Sequence, residues 1–528
     1  SGRSTPIPEN APASTKALSS ARKQARAEQR RRLFPTIEFA SRVSHFDPQS
    51  DYRDFHGFFN LFWIGLAIMG ITTMLRNYKD TGYPLRVQIW GLFTVKLWHL
   101  AIADFLMVAS TSISLPLHKI FRRSRGSWTW NKGGMALQSI YQVAWLAFWI
   151  DVPFRLNWTW TAQVFFLLHT MVLLMKMHSY AFYNGHLSET EKRLQALDQP
   201  HSASKEPAYM YPTVENPMGS LKPSDGAVDS DSDGEGVSQL RDGLARELTS
   251  PMGNVAYPRN LTWGNYFDYL LCPTLCYELE YPRTKSINWT NLVAKIVATF
   301  GCIFLLTVIS EEFILPVLQD SEARLDNTSS VSEKLLILSE SISWLLFPFM
   351  LTLLLVFLVI FEYVLGAFAE ITRFADRHFY SDWWNCSDWM EFSREWNVPV
   401  YSFLRRHVYA TSKPSIGRNM ATFLTFLVSA IGHEIVMACI TKKLRGYGFI
   451  CQMSQLPIVM LQHTRWVRSH ETANNVLFWI SMILGLSLVS SSLPPSFRAL
   501  MQFVRELMAR NRSAHFTFCF DKVGVCLC

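Results

Sequence analysis

Nearly unbroken apolar residues run from Phe58 to Leu75 and again from Trp344 to Phe361. Each run is long enough to cross a hydrocarbon core of about 30 Å as a helix. Runs with one or two polar interruptions follow at Leu100–Leu117, Leu137–Val152, Trp160–Leu174 and Leu292–Ile309, as expected of spanning helices that face protein or a cavity. Three more, Thr422–Ala438, Tyr447–Leu461 and Val476–Leu493, lie toward the C-terminus. The pattern predicts an all-α membrane protein, a multi-spanning bundle of about nine transmembrane helices.

The polar stretches divide the chain. Residues 1–54 are rich in Ser, Pro, Ala and Arg and predict a disordered, basic, cytosolic segment; no signal-peptide core precedes Phe58, so the first span is expected to direct insertion. Arg22, Lys23, Arg26, Arg30, Arg31 and Arg32 place the N-terminus in the cytosol by the positive-inside rule. Lys442, Lys443 and Arg445 would then be lumenal, against the rule. Helices one to four occupy 55–186. Residues 187–262, with Asp229-Ser230-Asp231-Ser232-Asp233-Gly234-Glu235, predict a disordered acidic cytosolic linker. A C-terminal catalytic core covers 263–493 and a tail 494–528. No inverted repeat relates the halves, which weighs against a transporter.

Composition agrees with a membrane protein: the 528 residues are 49% hydrophobic and 17% charged. The net charge of +8 resides mainly in loops and tail, pointing to anionic headgroups rather than nucleic acid. Nine scattered cysteines form neither a disulfide framework nor a zinc site. Asn327-Thr328-Ser329 is a glycosylation sequon in a short loop expected in the lumen.

Two segments could carry chemistry. In Ser429-Ala430-Ile431-Gly432-His433-Glu434 two ionisable residues sit inside an apolar helix, where they are expensive. Helical spacing puts Ser429 and His433 on one face and Glu434 on the next. His433 could line a cavity or bond a neighbouring helix for packing, and the segment alone leaves both open. A zinc-protease H-E-x-x-H is excluded because position 437 is Met437, and no metal is implied. The second segment is Phe379-Tyr380-Ser381-Asp382-Trp383-Trp384-Asn385, followed by Trp389, Arg394, Trp396 and Asn397. An interfacial aromatic belt accounts for the tryptophans, but Asp382, Asn385 and Asn397 would need polar partners if folded onto the bundle.

Phe374 to Asn385, FADRHFYSDWWN, together with His433-Glu434, resembles the membrane-bound O-acyltransferases of the sterol and diacylglycerol acyltransferase group. Asp54–Ile64, Lys176–Tyr180 and Pro273–Trp289 resemble it too, so the similarity runs from about Phe55 to Leu488. The Tyr281-Pro282-Arg283-Thr284 stretch and the region from Lys442 to Pro457 look like the sterol branch. One departure is Tyr401, where the family commonly has a histidine.

The resemblance implies transfer of a long-chain fatty acyl group from acyl-CoA, a co-substrate rather than a bound cofactor, to a membrane sterol of the ergosterol type. It implies His433 as catalytic base, direct attack without an acyl-enzyme, and a homodimer or tetramer in the endoplasmic reticulum membrane. Asn385 is expected to orient the thioester or stabilise its oxyanion. Phe379, Tyr380, Asp382, Trp383 and Trp384 are expected to shape the CoA entrance, Arg377 or Arg394 to meet phosphate or headgroup, and Ser429 to stand beside the base. Diacylglycerol as acceptor, and a non-catalytic lipid transporter, are the competing expectations.

Overall fold

A computed structural model describes residues 34, 37, 39–47, 50, 56–84, 97–124, 126–156, 158–197, 209–210, 220–221, 241–441, 444–462, 464 and 470–491. Its helices in chain order are α1 His56–Thr81, α2 Leu97–Thr111, α3 Ser114–Arg123, α4 Met135–Arg155, α5 Trp160–Leu197, α6 Trp263–Leu271, α7 Trp289–Ile309 and α8 Leu315–Asn327. There follow α9 Val331–Phe357, α10 Leu365–Ile371, α11 Trp389–Glu395, α12 Val398–Phe403, α13 Thr411–Thr441, α14 Tyr447–Gln462 and α15 Glu471–Ser491. A two-residue antiparallel pair, Tyr209–Met210 with Ser220–Leu221, is the only sheet among the described residues.

The nine predicted runs fall on helices as far as the described residues extend, the last of them to Ser491. Six helical stretches among the described residues are long and apolar enough to cross a membrane: Gly57–Thr81, Leu97–Arg123, Ala162–Ala196, Trp289–Asn327, Val331–Ile371 and Val398–Cys439. Of the three others, α4 carries Gln138, Gln142, Asp151 and Arg155, α14 has 16 residues, and α15 is an apolar helix of 21 residues with a polar first turn. On α1 the exposed Phe58, Leu61, Ile64, Ile68, Ile71 and Leu75 recur every three or four residues, a stripe that only lipid or another apolar surface can cover. The chain is a multi-pass membrane protein.

The last three of those stretches have 39, 41 and 42 residues. At about 1.5 Å per residue the first two are roughly 60 Å long, twice a hydrocarbon core, whereas the third is kinked at Gly417, whose φ 78° and ψ 171° are not helical. Each is interrupted by a π-helical turn: Ser310–Ile314, Leu358–Val364 and Leu404–Ala410. Each widened turn carries charge inside its rod: Glu311 and Glu312, then Glu362, then Arg405 and Arg406. Such bulges often mark functional positions.

A tyrosine-rich layer buries Tyr180, Tyr257, Tyr266, Tyr269, Tyr277 and Tyr281. Tyr180 meets Tyr266 and Tyr277 edge-on, with ring centroids 4.8 and 4.9 Å apart. Three of the hydroxyls find partners: Tyr269 donates to Leu275 O at 2.9 Å, Tyr277 to Asn265 Oδ1 at 2.6 Å and Tyr281 to Cys276 O at 3.0 Å.

Two expected boundaries shift. Helix α5 continues past the predicted linker start at 187 to Leu197, and residues 241–262 fold into the tyrosine layer through Ala245, Leu248 and Tyr257. A few well-spaced apolar anchors outweigh the polar average that predicted disorder. The acidic run Asp229–Glu235, Lys442, Lys443 and the tail from 492 on lie outside the described residues. In the N-terminal segment, residues 39–47 form a strap: Phe39 packs on Tyr281 and Phe374, and Phe46 on Phe59. Arg42 grips Asp376 through Nε and Nη2, at 2.9 and 2.6 Å.

Candidate active site

The aromatic segment folds as an element of loop and short helix. Ser381 N donates to Glu395 O at 2.9 Å and Val398 N to Phe379 O at 3.0 Å, so the loop is pinned to the α11–α12 junction. Asp388 caps α11 by accepting from Glu391 N, and Asn397 caps α12 by accepting from Val400 N. That cap is the partner the sequence required for Asn397. The half-buried Tyr401 follows in α12.

The expected entrance residues separate into two sets. Phe379, Tyr380 and Trp383 are buried, the last two only 1% exposed. Trp383 stacks among Trp396, Phe357 and Trp479, with centroids 4.6, 5.1 and 5.5 Å away, so it shapes the element from within. Asp382 and Trp384 are half-buried, and Asn385 and Arg394 are exposed. Asn385 lines an open recess of about 390 Å³ with Ser387, Glu391, Thr472 and Asn475. Arg377 is committed to an ion pair with buried Glu370 at 2.7 Å and is not free to meet phosphate.

Tyr380 leads to a network that the sequence reading missed. Its hydroxyl donates to Glu362 Oε2 at 3.1 Å, Ser44 Oγ donates to the same oxygen, and Lys295 Nζ donates to Glu362 Oε1 at 2.8 Å. Lys295 also reaches Glu362 O at 3.1 Å. Gly366 makes room, since a Cβ there would lie 2.9 Å from Lys295 Nζ. Thus one buried carboxylate in a π-helical turn ties together two spanning helices, the aromatic element and the strap. The signal was available: Lys295 and Glu362 are ionisable residues in or beside apolar runs, as His433 is.

Over the element lie two strap and loop histidines. His45 faces Tyr380 at 5.5 Å, while His378 accepts from or donates to Ser381 Oγ at 2.9 Å. Burial holds both imidazoles below the ordinary histidine range; Arg42 adds to the effect at His378, and Asp382 and Glu362 oppose it at His45. Burial likewise raises the Glu395 carboxyl, and Glu391 and Asp382 nearby add to that.

His433 is differently placed. It stands exposed on α13, and its Nδ1 lies 2.8 Å from the backbone oxygen of Ser429. A carbonyl oxygen only accepts, so Nδ1 carries the hydrogen and Nε2 presents its lone pair outward. Among the described residues that is His433's one hydrogen bond. Ser429 Oγ accepts from Gln452 Nε2 at 3.4 Å, and Gln452 also reaches Gln455 Oε1 at 3.3 Å. A polar strip on α14 therefore lies one helical turn from the imidazole, another feature not singled out from sequence.

Glu434 turns away and holds the next helix. Its carboxylate accepts from Arg445 N at 3.2 Å, Gly446 N at 2.7 Å and Phe449 N at 3.1 Å. An anion at a helix N-terminus is favourably placed, and this one fixes α14 against α13. Gly446 makes the turn with φ +79°, and at Gly448 a Cβ would come within 2.9 Å of Met437 Cγ and 3.1 Å of His433 O.

The structure does not bring His433 and Asn385 together. Gly448 packs at the level of His433, while Gln462 at the far end of α14 accepts from Trp389 N at 3.2 Å. The fourteen residues between them rise about 21 Å. A separate cavity of about 510 Å³, lined by Phe34, Tyr183, His186, Arg246, Glu247 and Ser250 among others, lies in the tyrosine layer and shares no lining residue with His433.

Comparison with known proteins accords with this arrangement. The chain is 40% identical over 448 residues to a probable sterol O-acyltransferase 2 of Schizosaccharomyces pombe, covering 84% of this chain and 88% of that protein. It is 31% identical over 481 residues to sterol O-acyltransferase 2 of Candida albicans, covering 86% and 78% respectively. Diacylglycerol O-acyltransferase 1 of Dictyostelium discoideum is 35% identical over 243 residues, covering 46% of this chain and 38% of that protein. The family description MBOAT, membrane-bound O-acyltransferase family, matches residues 134–493, more than half of the sequence and the part that holds both the aromatic element and His433. The chain belongs to the membrane-bound O-acyltransferase family.

Proposed function

We propose that this enzyme is an acyl-CoA:sterol O-acyltransferase that forms steryl ester and CoA with His433 as general base. The observation that carries the chemistry is the imidazole tautomer: Nδ1 is held by Ser429 O, and Nε2 is exposed with its lone pair unused. A sterol hydroxyl is a weak nucleophile at neutral pH and needs such a base within hydrogen-bond reach. Nε2 takes the hydroxyl proton as the oxygen attacks the thioester carbonyl. The tetrahedral intermediate collapses, the C–S bond breaks, and the proton returns from Nε2 to the CoA sulfur. No acyl-enzyme is formed.

Acyl-CoA arrives from the cytosol and the sterol from the bilayer. The aromatic element forms the headgroup-level mouth, where Asp382, Trp384 and Arg394 meet the CoA end and Asn385 orients it from the polar recess. Phe379, Tyr380 and Trp383 set the shape of that mouth by packing beneath it. The extended pantetheine arm suits the separation between this mouth and His433, and brings the carbonyl to the base. Ser429 stands beside the base and helps place the acceptor hydroxyl. The enzyme works in the endoplasmic reticulum membrane with its N-terminus in the cytosol, as a homodimer or tetramer.

Sterol is preferred over diacylglycerol because the sterol-acylating relatives match over most of this chain, whereas the diacylglycerol-acylating relative matches 46% of it. The test supplies purified protein with radiolabelled oleoyl-CoA and either ergosterol or diacylglycerol. Steryl ester with stoichiometric CoA release is the expected result. Triacylglycerol would move the enzyme to the other branch, and no CoA release with either acceptor would overturn an acyltransferase reading.

A further inference from the structure

The two long rods α7–α8 and α9–α10 form a hairpin whose open end and tip lie far apart. At the open end Asn288 N and Asn291 Nδ2 donate to Glu370, at 3.4 and 2.8 Å, and Ala375 N donates to Pro282 O at 3.0 Å. This end therefore adjoins the aromatic element. The rods turn at Thr328–Ser330, 41 residues of helix away from Ile371 along the second arm, or about 60 Å. A hydrocarbon core spans about half that length, so the tip emerges on the other face of the membrane.

The tip is built for water. The last nine residues of α8, Gln319–Asn327, carry four charges, Asp320, Glu322, Arg324 and Asp326. They rise about 13 Å. Arg324 Nη2 joins the arms by binding Glu340 at 2.8 Å. Asn327, exposed, is the last residue of α8, and Thr328 leaves the helix in an extended conformation, with φ −109° and ψ 127°.

Asn327-Thr328-Ser329 is one of six Asn-x-Ser/Thr tripeptides in the sequence. Geometry removes three of the others. Asn260 is buried, with Nδ2 bonded to Asn184 Oδ1 at 2.6 Å and Tyr277 OH at 2.9 Å. Asn288 caps α7 at the open end, accepting from Asn291 N at 3.1 Å, and Asn385 belongs to the aromatic element itself. Asn157 and Asn511 lie outside the described residues.

We infer that Asn327 is an N-glycosylation site on the lumenal tip of this hairpin. The inference rests on the proposed cytosolic entry of acyl-CoA, which assigns the aromatic end to the cytosol and the tip to the lumen. The donor is a lipid-pyrophosphate-linked oligosaccharide: its anomeric C–O bond breaks, a bond forms from that carbon to Asn327 Nδ2, and an amide proton leaves with the pyrophosphate. The glycan would hold the tip in the lumen and cover a surface that takes no part in acyl transfer.

The full chain is expressed in a eukaryotic host and digested with peptide N-glycosidase. The wild type is expected to gain mobility on a gel after digestion; Asn327→Gln and Ser329→Ala lose that shift, and Ser329→Thr keeps it. Steryl ester formation by Asn327→Gln stays at the wild-type level. An active wild type with no shift, or a shift that survives Asn327→Gln, overturns this site and leaves the proposed reaction standing. A glycan at Asn327 on protein that makes no steryl ester upholds the site and overturns the reaction.

Discussion

The aromatic element and the His433 helix carry the two sequence patterns that stand out, yet they are built in opposite ways. Around Trp383 the rings pack on one another, and Tyr380 and Asn397 find hydrogen-bond partners. Around His433 the backbone is locked by Glu434 and Gly448 while the imidazole edge is left open. The difference teaches that a dense motif can be mainly architecture. In the proposed reaction the base is the group whose neighbours fix its tautomer and leave its other nitrogen open.

The comparison can be broken most forcefully at the carboxylate under the aromatic element. Lys295→Met leaves Glu362 buried without its cation, and breaking such a pair costs about 3–5 kcal/mol. Folded yield and unfolding temperature should drop sharply, and Lys295→Met with Glu362→Gln should recover much of the loss; an unaltered single variant would show that the network is not structural. Trp383→Ala removes a fully buried ring, a change worth about 3–5 kcal/mol. Its deficit should appear as lost folded protein, with the surviving fraction still active, as detergent-solution thermal unfolding and activity per folded molecule will report.

On the other side of the comparison, Gly448→Ala inserts a methyl group against Met437 and the His433 carbonyl, costing about 1–3 kcal/mol if the helices must part. Turnover should fall more than yield, because the shift is passed directly to the base; equal losses would assign Gly448 to packing alone. The smallest effect concerns pH. His45 and His378 titrate below the ordinary value of 6.5 in the folded protein, so the unfolded chain binds more protons just below that pH. The strap's stabilisation is therefore complete above pH 6.5 and is lost as pH falls through the depressed values. Hydrogen exchange at residues 39–47 should accelerate below pH 6.5, and a flat profile would show that these histidines do not couple to the strap.

Much of this was legible beforehand, for physical reasons that differ by region. Apolar runs marked each of the six membrane-length helices among the described residues because lipid imposes length and composition together. The helical offset between His433 and Glu434 put them on different faces, and the carboxylate indeed serves α14 rather than the imidazole. What could not be read was pairing across the chain. Ser44, Lys295, Glu362 and Tyr380 converge from four segments, and no local pattern encodes that meeting. The same holds for Gln452 beside Ser429. Residues 241–262 were misjudged because their average polarity hid Leu248 and Tyr257.

The central claim is that His433 does the chemistry while the aromatic element receives acyl-CoA. The most direct measurement is CoA release at saturating ergosterol and varied oleoyl-CoA by wild type, His433→Ala and Asn385→Ala, each confirmed to elute as the wild type on size exclusion. The account predicts that His433→Ala loses about 10²–10⁴-fold in kcat while still binding acyl-CoA, and that Asn385→Ala loses less, chiefly through KM for acyl-CoA. Near-normal kcat in folded His433→Ala would contradict it.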